Sequence, residues 1–236
     1  MIDWHSHILP GIDDGSQNEE ESLSMLRSLG DQGVECVIAT PHFYANDESV
    51  EEFLARRNES ISRLQKKMNG DCPRVVCGAE VRYYPGIGKM SELDKLKIGS
   101  TDLILLEMPM NKWTEYTLRE LVELSSSGKL TVIMAHIERY LSFQDRSVWR
   151  RLNESGLLMQ VNASFVYGCK TKRKALKLIG DGKIQFIGSD CHNMTTRSPQ
   201  IGKAYDLIKK KYGEEYVAQM NEYGYQILER NKNFNL

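Results

Sequence analysis

The few histidines in this chain occupy positions that suit metal binding. Among 236 residues there are five: His5, His7, His42, His136 and His192. Each lies at or just after the end of an apolar run of the kind that forms a buried strand. Residues two apart on a strand point to the same side, so the imidazoles of His5 and His7 can reach one ion. The spacing predicts a metal site at these strand ends.

Carboxylates recur at the same kind of position. Asp14 follows the first apolar run, Glu80 follows the third, Glu107 ends the fourth and Asp190 ends the last. In an α/β barrel the carboxyl ends of the strands meet on one face, where active sites lie. Acids crowded there are costly without cations, so bound metal is expected. A His, Asp and Glu set without cysteine suits Mn²⁺, Zn²⁺ or Fe²⁺, and more than four ligands imply several ions.

Each motif is weak when it is taken alone. The pair His5 and His7 is equally compatible with a satisfied core or surface pair, and so is the pair Asp190 and His192. A single histidine after a proline, such as His42, is more often a loop residue. Only their joint occurrence at strand ends makes the metal prediction strong.

The elements that must position these side chains alternate along the chain. Seven apolar runs predict strands, at residues 1–4, 34–40, 74–79, 102–107, 130–135, 157–161 and 184–188. Polar segments with helical periodicity separate most of them, and Ser16 and Glu19 predict a capping box before the first helix. This alternation indicates parallel βαβ units and a closed or nearly closed α/β barrel, with an open doubly wound sheet as the alternative. Residues 83–100, the weakest in periodicity, predict an excursion over the barrel mouth.

Length and composition restrict the function further. A chain of 236 residues without a linker predicts one domain over residues 1–236. The net charge of −1 provides no attraction to nucleic acid or to an anionic membrane, and no run of 18 apolar residues predicts membrane insertion. The amino terminus lacks the basic and apolar regions of a signal peptide. Five cysteines without a CxxC pair fit reduced thiols, so a cytoplasmic location is expected.

The motifs together resemble a known family. They are HSHILPGIDDG, ATPHF, GAE, VIMAHIERY and SDCHN. The chain resembles the polymerase and histidinol phosphatase (PHP) superfamily, and within it the bacterial manganese-dependent protein tyrosine phosphatases encoded with capsule and exopolysaccharide genes. The resemblance spans nearly the whole chain. It implies an α/β fold, a distorted (β/α)7 TIM-like barrel, and a trinuclear metal centre of Mn²⁺, with iron or zinc as alternatives.

The resemblance also implies the ligands. One ion would be held by His5, His7, Glu80 and Asp190, a second by Glu80, Glu107 and His136, and a third by Asp14, His42 and His192. The family's aspartate precedes a glycine, which selects Asp14 rather than Asp13. Many superfamily members have histidine where this chain has Glu107, but the tyrosine phosphatase branch also has glutamate there.

The implied reaction is hydrolysis of a phosphomonoester by a metal-activated water. Arg139 and Arg197 match the family's phosphate-binding positions, and their guanidinium forks suit phosphate oxygens. The general acid is not identified; Glu138 is one candidate, although the sequence favours a structural ion-pair role for it. Cys191 and Arg197 have the spacing of cysteine-dependent tyrosine phosphatases, but the residues between them include no glycine for a phosphate-binding loop, which indicates coincidence.

The expected substrate is phosphotyrosine on a protein, and the resemblance points to a bacterial tyrosine kinase of polysaccharide assembly. The closest alternative is a small-molecule phosphatase, such as a histidinol-phosphate phosphatase. A non-catalytic metal-binding module and a metal-dependent nuclease are further alternatives, and self-association is left open. A basic run favours a solvated face, with docking of an acidic or phosphorylated tail as the alternative; it comprises Lys170, Lys172, Arg173, Lys174 and Lys177.

Overall fold

The computed structural model describes residues 1–230, so the last six residues of the predicted domain lie outside the described residues. The described strands are β1 Ile2–Ser6, β2 Cys36–Ala39, β3 His42–Phe43, β4 Arg74–Cys77, β5 Glu80–Arg82, β6 Leu103–Glu107, β7 Thr131–Met134, β8 Leu158–Asn162 and β9 Phe186–Gly188. The described α-helices are α1 Glu19–Asp31, α2 Val50–Gln65, α3 Glu115–Ser126, α4 Arg146–Glu154, α5 Ala163–Tyr167, α6 Lys172–Gly180, α7 Ile201–Tyr212 and α8 Glu214–Glu229. Short 3₁₀ turns cover Ile87–Lys89, Leu93–Leu96 and Ile137–Arg139.

The strands form two parallel sheets, which makes the fold α/β. The smaller sheet has the order β1-β2-β4, and the larger has the order β3-β5-β6-β7-β8-β9 and curls into a half-barrel. Two residues separate β2 from β3, and two separate β4 from β5. Across these breaks the Gly78 N–H donates to Ala39 O (2.8 Å) and the Glu80 N–H donates to Pro41 O (2.9 Å). The predicted closed barrel therefore corresponds to two sheets with a shared seam.

A second seam joins the first strand to the residues after the last one. The Asp190 N–H donates to His5 O (2.8 Å), and the His7 N–H donates to Cys191 O (2.9 Å). The buried carboxylate of Asp3 adds a bond from the Ser189 N–H (2.7 Å). These bonds hold His5, His7 and Asp190 side by side, although 182 residues lie between His7 and Asp190 in the chain.

Alternate residues of the strands enter two apolar cores. Val37, Ile104 and Val132 pack with the helices in the larger core. Ile38 and Leu105, on the opposite faces of β2 and β6, pack with one another in a smaller core. This alternation is the period of two expected of a sheet that is buried on both faces. Glu107 lies two residues beyond Leu105, so the inner core continues directly into polar side chains.

Helix α8 packs on this inner core from the amino ends of the strands. Ile227 and Leu228 join the smaller core, and Gly224 lets the helix lie close to the sheet. A Cβ at Gly224 would come within 3.1 Å of both Ile2 and Trp4. With this end filled by apolar groups, polar chemistry is left to the carboxyl ends. No helix in residues 1–230 combines the length and the apolarity needed to cross a membrane.

Two local expectations are wrong. Helix α1 is capped by Asn18, whose side chain accepts from the Glu21 N–H (3.0 Å), whereas Ser16 bonds to Ser22 instead of forming a capping box. Residues 83–100 run against α3 rather than across the mouth. The Tyr83 hydroxyl donates to Glu120 (2.7 Å), so the segment is the connection between β5 and β6.

Candidate metal centre

The structure gathers all nine predicted ligand residues at the carboxyl ends of the strands. Their donor atoms fall into four overlapping groups, in each of which the atoms lie within 4.8 Å of one another. The groups are His7, Asp14, His42 and His192; His5, His7 and Asp190; His5, Glu80 and His136; and His42, Glu80 and Glu107. Four residues belong to two groups each: Glu80, whose sharing was predicted, and also His5, His7 and His42.

Glu80 lies at the centre of the arrangement. Its carboxylate is buried, and its two oxygens face different neighbours. Oε1 lies 2.7 Å from Nε2 of His136, while Oε2 lies 3.2 Å from Nε2 of His5 and 3.3 Å from Nε2 of His7. A carboxylate divided in this way can bridge two cations.

The predicted first set is compact. Nε2 of His5 and Nε2 of His7 lie 3.1 Å apart, and Oδ1 of Asp190 lies 3.7 and 3.5 Å from them. All three side chains are buried. Two imidazole nitrogens and two carboxylates that converge within 3.7 Å supply nitrogen and oxygen donors of the kind that fit a divalent cation.

The predicted third set lies nearer to solvent. Oδ1 of Asp14 is 3.4 Å from Nε2 of His42 and 3.4 Å from Nε2 of His192. Asp14 is 65% exposed, which leaves an approach from outside. Nε2 of His192 is buried without a hydrogen-bond partner in residues 1–230. An unsatisfied buried nitrogen beside a carboxylate is a second sign that the donors fit a metal ion.

The predicted second set is formed by strand ends of the larger sheet. Nε2 of His136 lies 3.7 Å from Oε1 of Glu107, in addition to its short contact with Glu80. Arg82, which the sequence interpretation did not single out, donates to the other Glu107 oxygen (2.9 Å). Glu107 thus has a guanidinium group beside it.

Partners on Nδ1 orient most of the imidazoles. Nδ1 of His7 lies 2.7 Å from Asp13, Nδ1 of His5 lies 3.4 Å from Gln160, and Nδ1 of His136 lies 3.1 Å from the Tyr140 hydroxyl. Nδ1 of His192 contacts the Asp190 carbonyl (3.0 Å). Such contacts fix ring orientation and leave Nε2 for the metal. Sequence reasoning missed Gln160. The available signal was two amide side chains, Gln160 and Asn162, two residues apart at the end of β8 and therefore on one face of the strand.

Two of the nine residues have strained backbones. His136 (φ 31°) and Asp190 (φ 53°) are the only non-glycine residues with positive φ in residues 1–230. The His136 N–H donates to Gln160 (2.6 Å), and Asn162 donates from its amide to Asp190 (2.7 Å). Unfavourable backbone geometry held by surrounding bonds is typical of functional sites.

Both predicted arginines reach the same carboxylate. Nη2 of Arg139 lies 2.7 Å from Oδ2 of Asp190, and Nη2 of Arg197 lies 2.7 Å from Oδ1. Arg139 is 32% exposed and Arg197 is 40% exposed, so each has surface open to solvent at the rim of the centre. Both guanidinium groups therefore lie at the rim of the nine-residue cluster, each paired with Asp190.

The charges in the centre shift several pKa values. Burial alone would raise the pKa of Asp190, but His5, His7 and Arg197 outweigh it and hold that pKa well below its usual range. Burial alone would lower the pKa of His7, but the carboxylates of Asp13 and Glu80 raise it to about 10. Burial lowers the pKa of His192 to about 4, so this imidazole is neutral near pH 7.

Glu138 differs from its predicted role. It forms no ion pair in residues 1–230, and one of its buried oxygens has no hydrogen-bond partner there. The other oxygen accepts from the Asn162 N–H (3.1 Å). Burial raises the pKa of Glu138 to about 8. The expected structural ion-pair partner is instead a desolvated carboxyl group that supports the end of β8.

The cysteine alternative has no geometric support. Cys191 is buried, and burial raises the pKa of its thiol well above the usual value. Oδ1 of Asn193 accepts from the N–H groups of Thr195, Thr196 and Arg197 (3.0, 2.8 and 3.1 Å). Amides that already bind a side chain do not form a phosphate cradle, and an undissociated buried thiol is a poor nucleophile.

Comparisons with known proteins find similarity over nearly the whole chain. A family model described as "Capsular polysaccharide synthesis, CpsB/CapC" matches residues 1–227. The tyrosine-protein phosphatase YwqE of Bacillus subtilis is 30% identical over 98% of this chain and 92% of that protein. Crystal structures of YwqE and of CpsB from Streptococcus pneumoniae, which are metal-dependent tyrosine phosphatases, include a match at TM-score 0.81 and 29% identity, covering 97% of this chain and 94% of that one.

A more distant structure shares the fold alone. A histidinol phosphate phosphatase from Lactococcus lactis, bound to zinc, L-histidinol and phosphate, matches at TM-score 0.56 and 15% identity. The match covers 89% of this chain and 93% of that one.

Proposed function

The chain belongs to the capsular polysaccharide synthesis family CpsB/CapC, and from that membership we propose that it is a metal-dependent tyrosine-protein phosphatase. The observation that carries the proposal is the division of Glu80, whose one oxygen faces His136 while the other faces His5 and His7. These residues belong to a cluster of nine donor residues bordered by two arginines. The small-molecule alternative is not favoured, because the histidinol phosphate phosphatase is similar only at the level of the fold.

We propose three ions, with manganese as the metal. His5, His7, Glu80 and Asp190 would hold one ion, Glu80, Glu107 and His136 the second, and Asp14, His42 and His192 the third. Bound divalent cations supply an acidified water as the nucleophile and neutralise charge on the phosphoryl oxygens. The all-nitrogen-and-oxygen donor set supports manganese, iron or zinc over a structural zinc site.

The chain's own residues perform the remaining tasks. Arg139 and Arg197 bind the phosphoryl oxygens through guanidinium forks and orient the phosphorus for in-line attack. Their common partner Asp190 keeps both groups at the rim before substrate arrives. A phenolate leaves with a pKa near 10, so it needs less protonation than an alkoxide does. This difference supports an aryl phosphate as the substrate.

The proposal extends to architecture and to location. We propose that the two sheets form one distorted (β/α)7 barrel, a single domain over residues 1–236, and the hydrogen bonds at both seams support this. Five free cysteines support a cytoplasmic location, because reduced thiols persist there. A tyrosine kinase of polysaccharide assembly is the proposed protein substrate, supported by the family's description.

Metal analysis combined with kinetics tests the proposal. The purified protein is analysed for metals and assayed on a phosphotyrosine peptide before EDTA treatment, after it, and after addition of Mn²⁺. We expect activity to disappear with EDTA and to return with Mn²⁺, at three ions per chain. Activity that survives chelation would overturn the proposal.

Two controls sharpen the test. Asp190→Ala should abolish turnover in protein that still folds, as circular dichroism would show. Histidinol phosphate should be a poorer substrate than the phosphotyrosine peptide, judged by kcat/KM. The opposite order of substrates would favour the small-molecule phosphatase.

A further inference from the structure

A cavity between α4 and α6 lies apart from the metal centre. Its volume is about 590 Å³. Its apolar lining includes Ile137, Leu141, Trp149 and Leu178. Four cationic side chains also line it: Arg146, Arg150, Lys174 and Lys183. The cavity therefore combines an apolar lining with a concentration of positive charge.

These cations have no partners within the described chain. In residues 1–230, none of the four makes an ion pair or a side-chain hydrogen bond. Their neighbours behave differently, since Arg151 pairs with Glu115 and Lys177 pairs with Asp181 (2.7 Å). Asp181 is the one acidic residue that lines the cavity, and Lys177 already neutralises it. An anionic ligand would meet four unneutralised charges.

Trp149 supplies a directional group. Its indole N–H is buried and has no acceptor in residues 1–230. The ring packs edge-on to Trp113 (5.8 Å between centroids), which fixes its orientation. A buried donor without an acceptor is costly, and a ligand oxygen would satisfy it.

The cavity adjoins the metal centre through one segment of chain. Ile137 and Leu141 line the cavity, while His136, Arg139 and Tyr140 in the same segment contact the centre. Gln144 also lines the cavity. Its side-chain oxygen accepts from the backbone N–H of Trp113 (3.2 Å), and its side-chain nitrogen donates to the backbone carbonyl of Asn111 (2.6 Å). A ligand held here lies beside the segment that carries a phosphate-binding arginine.

We propose that this cavity is an exosite for an acidic segment of a protein substrate, with carboxylates on the cations and one apolar or aromatic side chain on the lining. The inference rests on the proposed phosphatase function. Charge complementarity selects an acidic occupant, and the recessed apolar residues select a polypeptide over a bilayer. Ile137 is 3% exposed, so it cannot insert into a membrane. Lys174 belongs both to the basic run in the sequence and to the lining of this cavity, so the proposal gives that part of the run a docking role rather than a place on a solvated face.

Direct binding tests the exosite independently of catalysis. The probe is a fluorescein-labelled peptide with four glutamates and one phenylalanine, titrated with the full chain in fluorescence anisotropy. We expect the double variant Arg150→Glu with Lys174→Glu to raise Kd roughly tenfold or more, because each charge-assisted bond is strong. Trp149→Phe keeps an aromatic side chain but loses the five-membered ring that carries the N–H, and it should raise Kd by about two- to tenfold.

A matched control carries the same change in charge elsewhere. The double variant Lys170→Glu with Lys210→Glu also reverses two cations, and neither residue lines the cavity. If this control weakens peptide binding as much as the cavity variant does, the affinity is bulk electrostatics and the exosite is wrong. Vesicles of phosphatidylglycerol that bind through Arg150 and Lys174, where the peptide does not, would also overturn it.

Kinetics separates the exosite from the proposed function. On a phosphotyrosine peptide extended by the acidic segment, the cavity variant should raise KM by roughly tenfold and keep kcat. On p-nitrophenyl phosphate it should match the unmodified chain. An unchanged KM on the extended peptide refutes the exosite and leaves the phosphatase intact. A chain that binds the acidic peptide but hydrolyses neither substrate refutes the phosphatase instead.

Discussion

At the scale of single residues, Asp13 organises three groups of the metal centre. Its carboxylate accepts from Nδ1–H of His7 (2.7 Å), from the His42 N–H (3.1 Å) and from the Gly15 N–H (2.9 Å). We expect Asp13→Asn to weaken Mn²⁺ binding by about 10–100-fold, because an uncharged amide has one acceptor oxygen and cannot serve the donors that face both oxygens of the carboxylate. Isothermal titration of Mn²⁺ into chelated protein measures this. Asp31→Asn, on an exposed helix end, is the control, and equal affinities in the two variants would contradict the role of Asp13.

The two arginines of the rim give a second prediction at this scale. Lysine keeps the charge of Arg139 or Arg197 but loses the planar fork. We expect each Arg→Lys variant to bind inorganic phosphate about 10-fold less tightly, since one charge-assisted hydrogen bond is lost. The inhibition constant of phosphate against phosphotyrosine peptide measures it, and Arg119→Lys on α3 should leave the constant unchanged. If the inhibition constant of phosphate is the same in both Arg→Lys variants as in the unmodified chain, the arginines do not bind the substrate's phosphate.

The residues that could be predicted from sequence were those whose chemistry is unusual. Histidines and acids at strand ends stand out, so all nine proposed ligands could be chosen and all nine are close together in the fold. Gln160, Tyr140 and Arg82 could not be chosen, because a glutamine, a tyrosine or an arginine is common in many environments. Their importance comes from which atom they touch, and only three-dimensional placement determines that.

At the scale of elements, the turn after β1 depends on a close approach of two backbones. A Cβ at Gly15 would lie 2.2 Å from His7 O and 2.5 Å from His7 Cβ. We expect Gly15→Ala to lose nearly all activity and to destabilise the fold by about 1–3 kcal/mol, because the overlap is with backbone that cannot move aside. Denaturant unfolding and phosphatase assays measure these. Gly70→Ala, with no atom within 4 Å of its Cβ, should change neither, and an active Gly15→Ala variant would show that the turn can shift.

The periodicity of the sequence predicted the strands better than their interruptions. Each of the seven apolar runs contains or overlaps one strand, but β3 and β5, which follow the breaks at Thr40–Pro41 and at Gly78–Ala79, lie beyond the predicted runs. Pro41 lacks an N–H for the ladder, and this local fact explains one break. The short helix α5 was missed because five residues are too few to show a helical period. Residues 83–100 were misplaced because weak periodicity does not say where a connection runs.

At the scale of the whole molecule, a net charge of −1 conceals a strong separation of charge. The acids of the metal centre are surrounded by Arg82, Arg139 and Arg197 and by the imidazoles of His5 and His7. The raised pKa values of His5 and His7 reflect this, because the carboxylates around them outweigh the effect of burial. Protons and metal ions therefore compete for the same nitrogens.

This competition predicts how stability changes with pH. The pKa of His7 rises from 6.5 to about 10 on folding, so its stabilising contribution is complete below pH 6.5 and is lost as pH rises towards 10. The pKa of Glu138 also rises, to about 8, so its effect on the free energy of unfolding likewise becomes less favourable as pH rises. We therefore expect the Tm of EDTA-treated protein to fall between pH 6.5 and 8.5, while the increase in Tm caused by Mn²⁺ grows, because deprotonated imidazoles bind the ion more tightly. Differential scanning calorimetry at both pH values measures the two trends. His7→Gln should flatten both, and a manganese effect that shrinks with pH would contradict the competition.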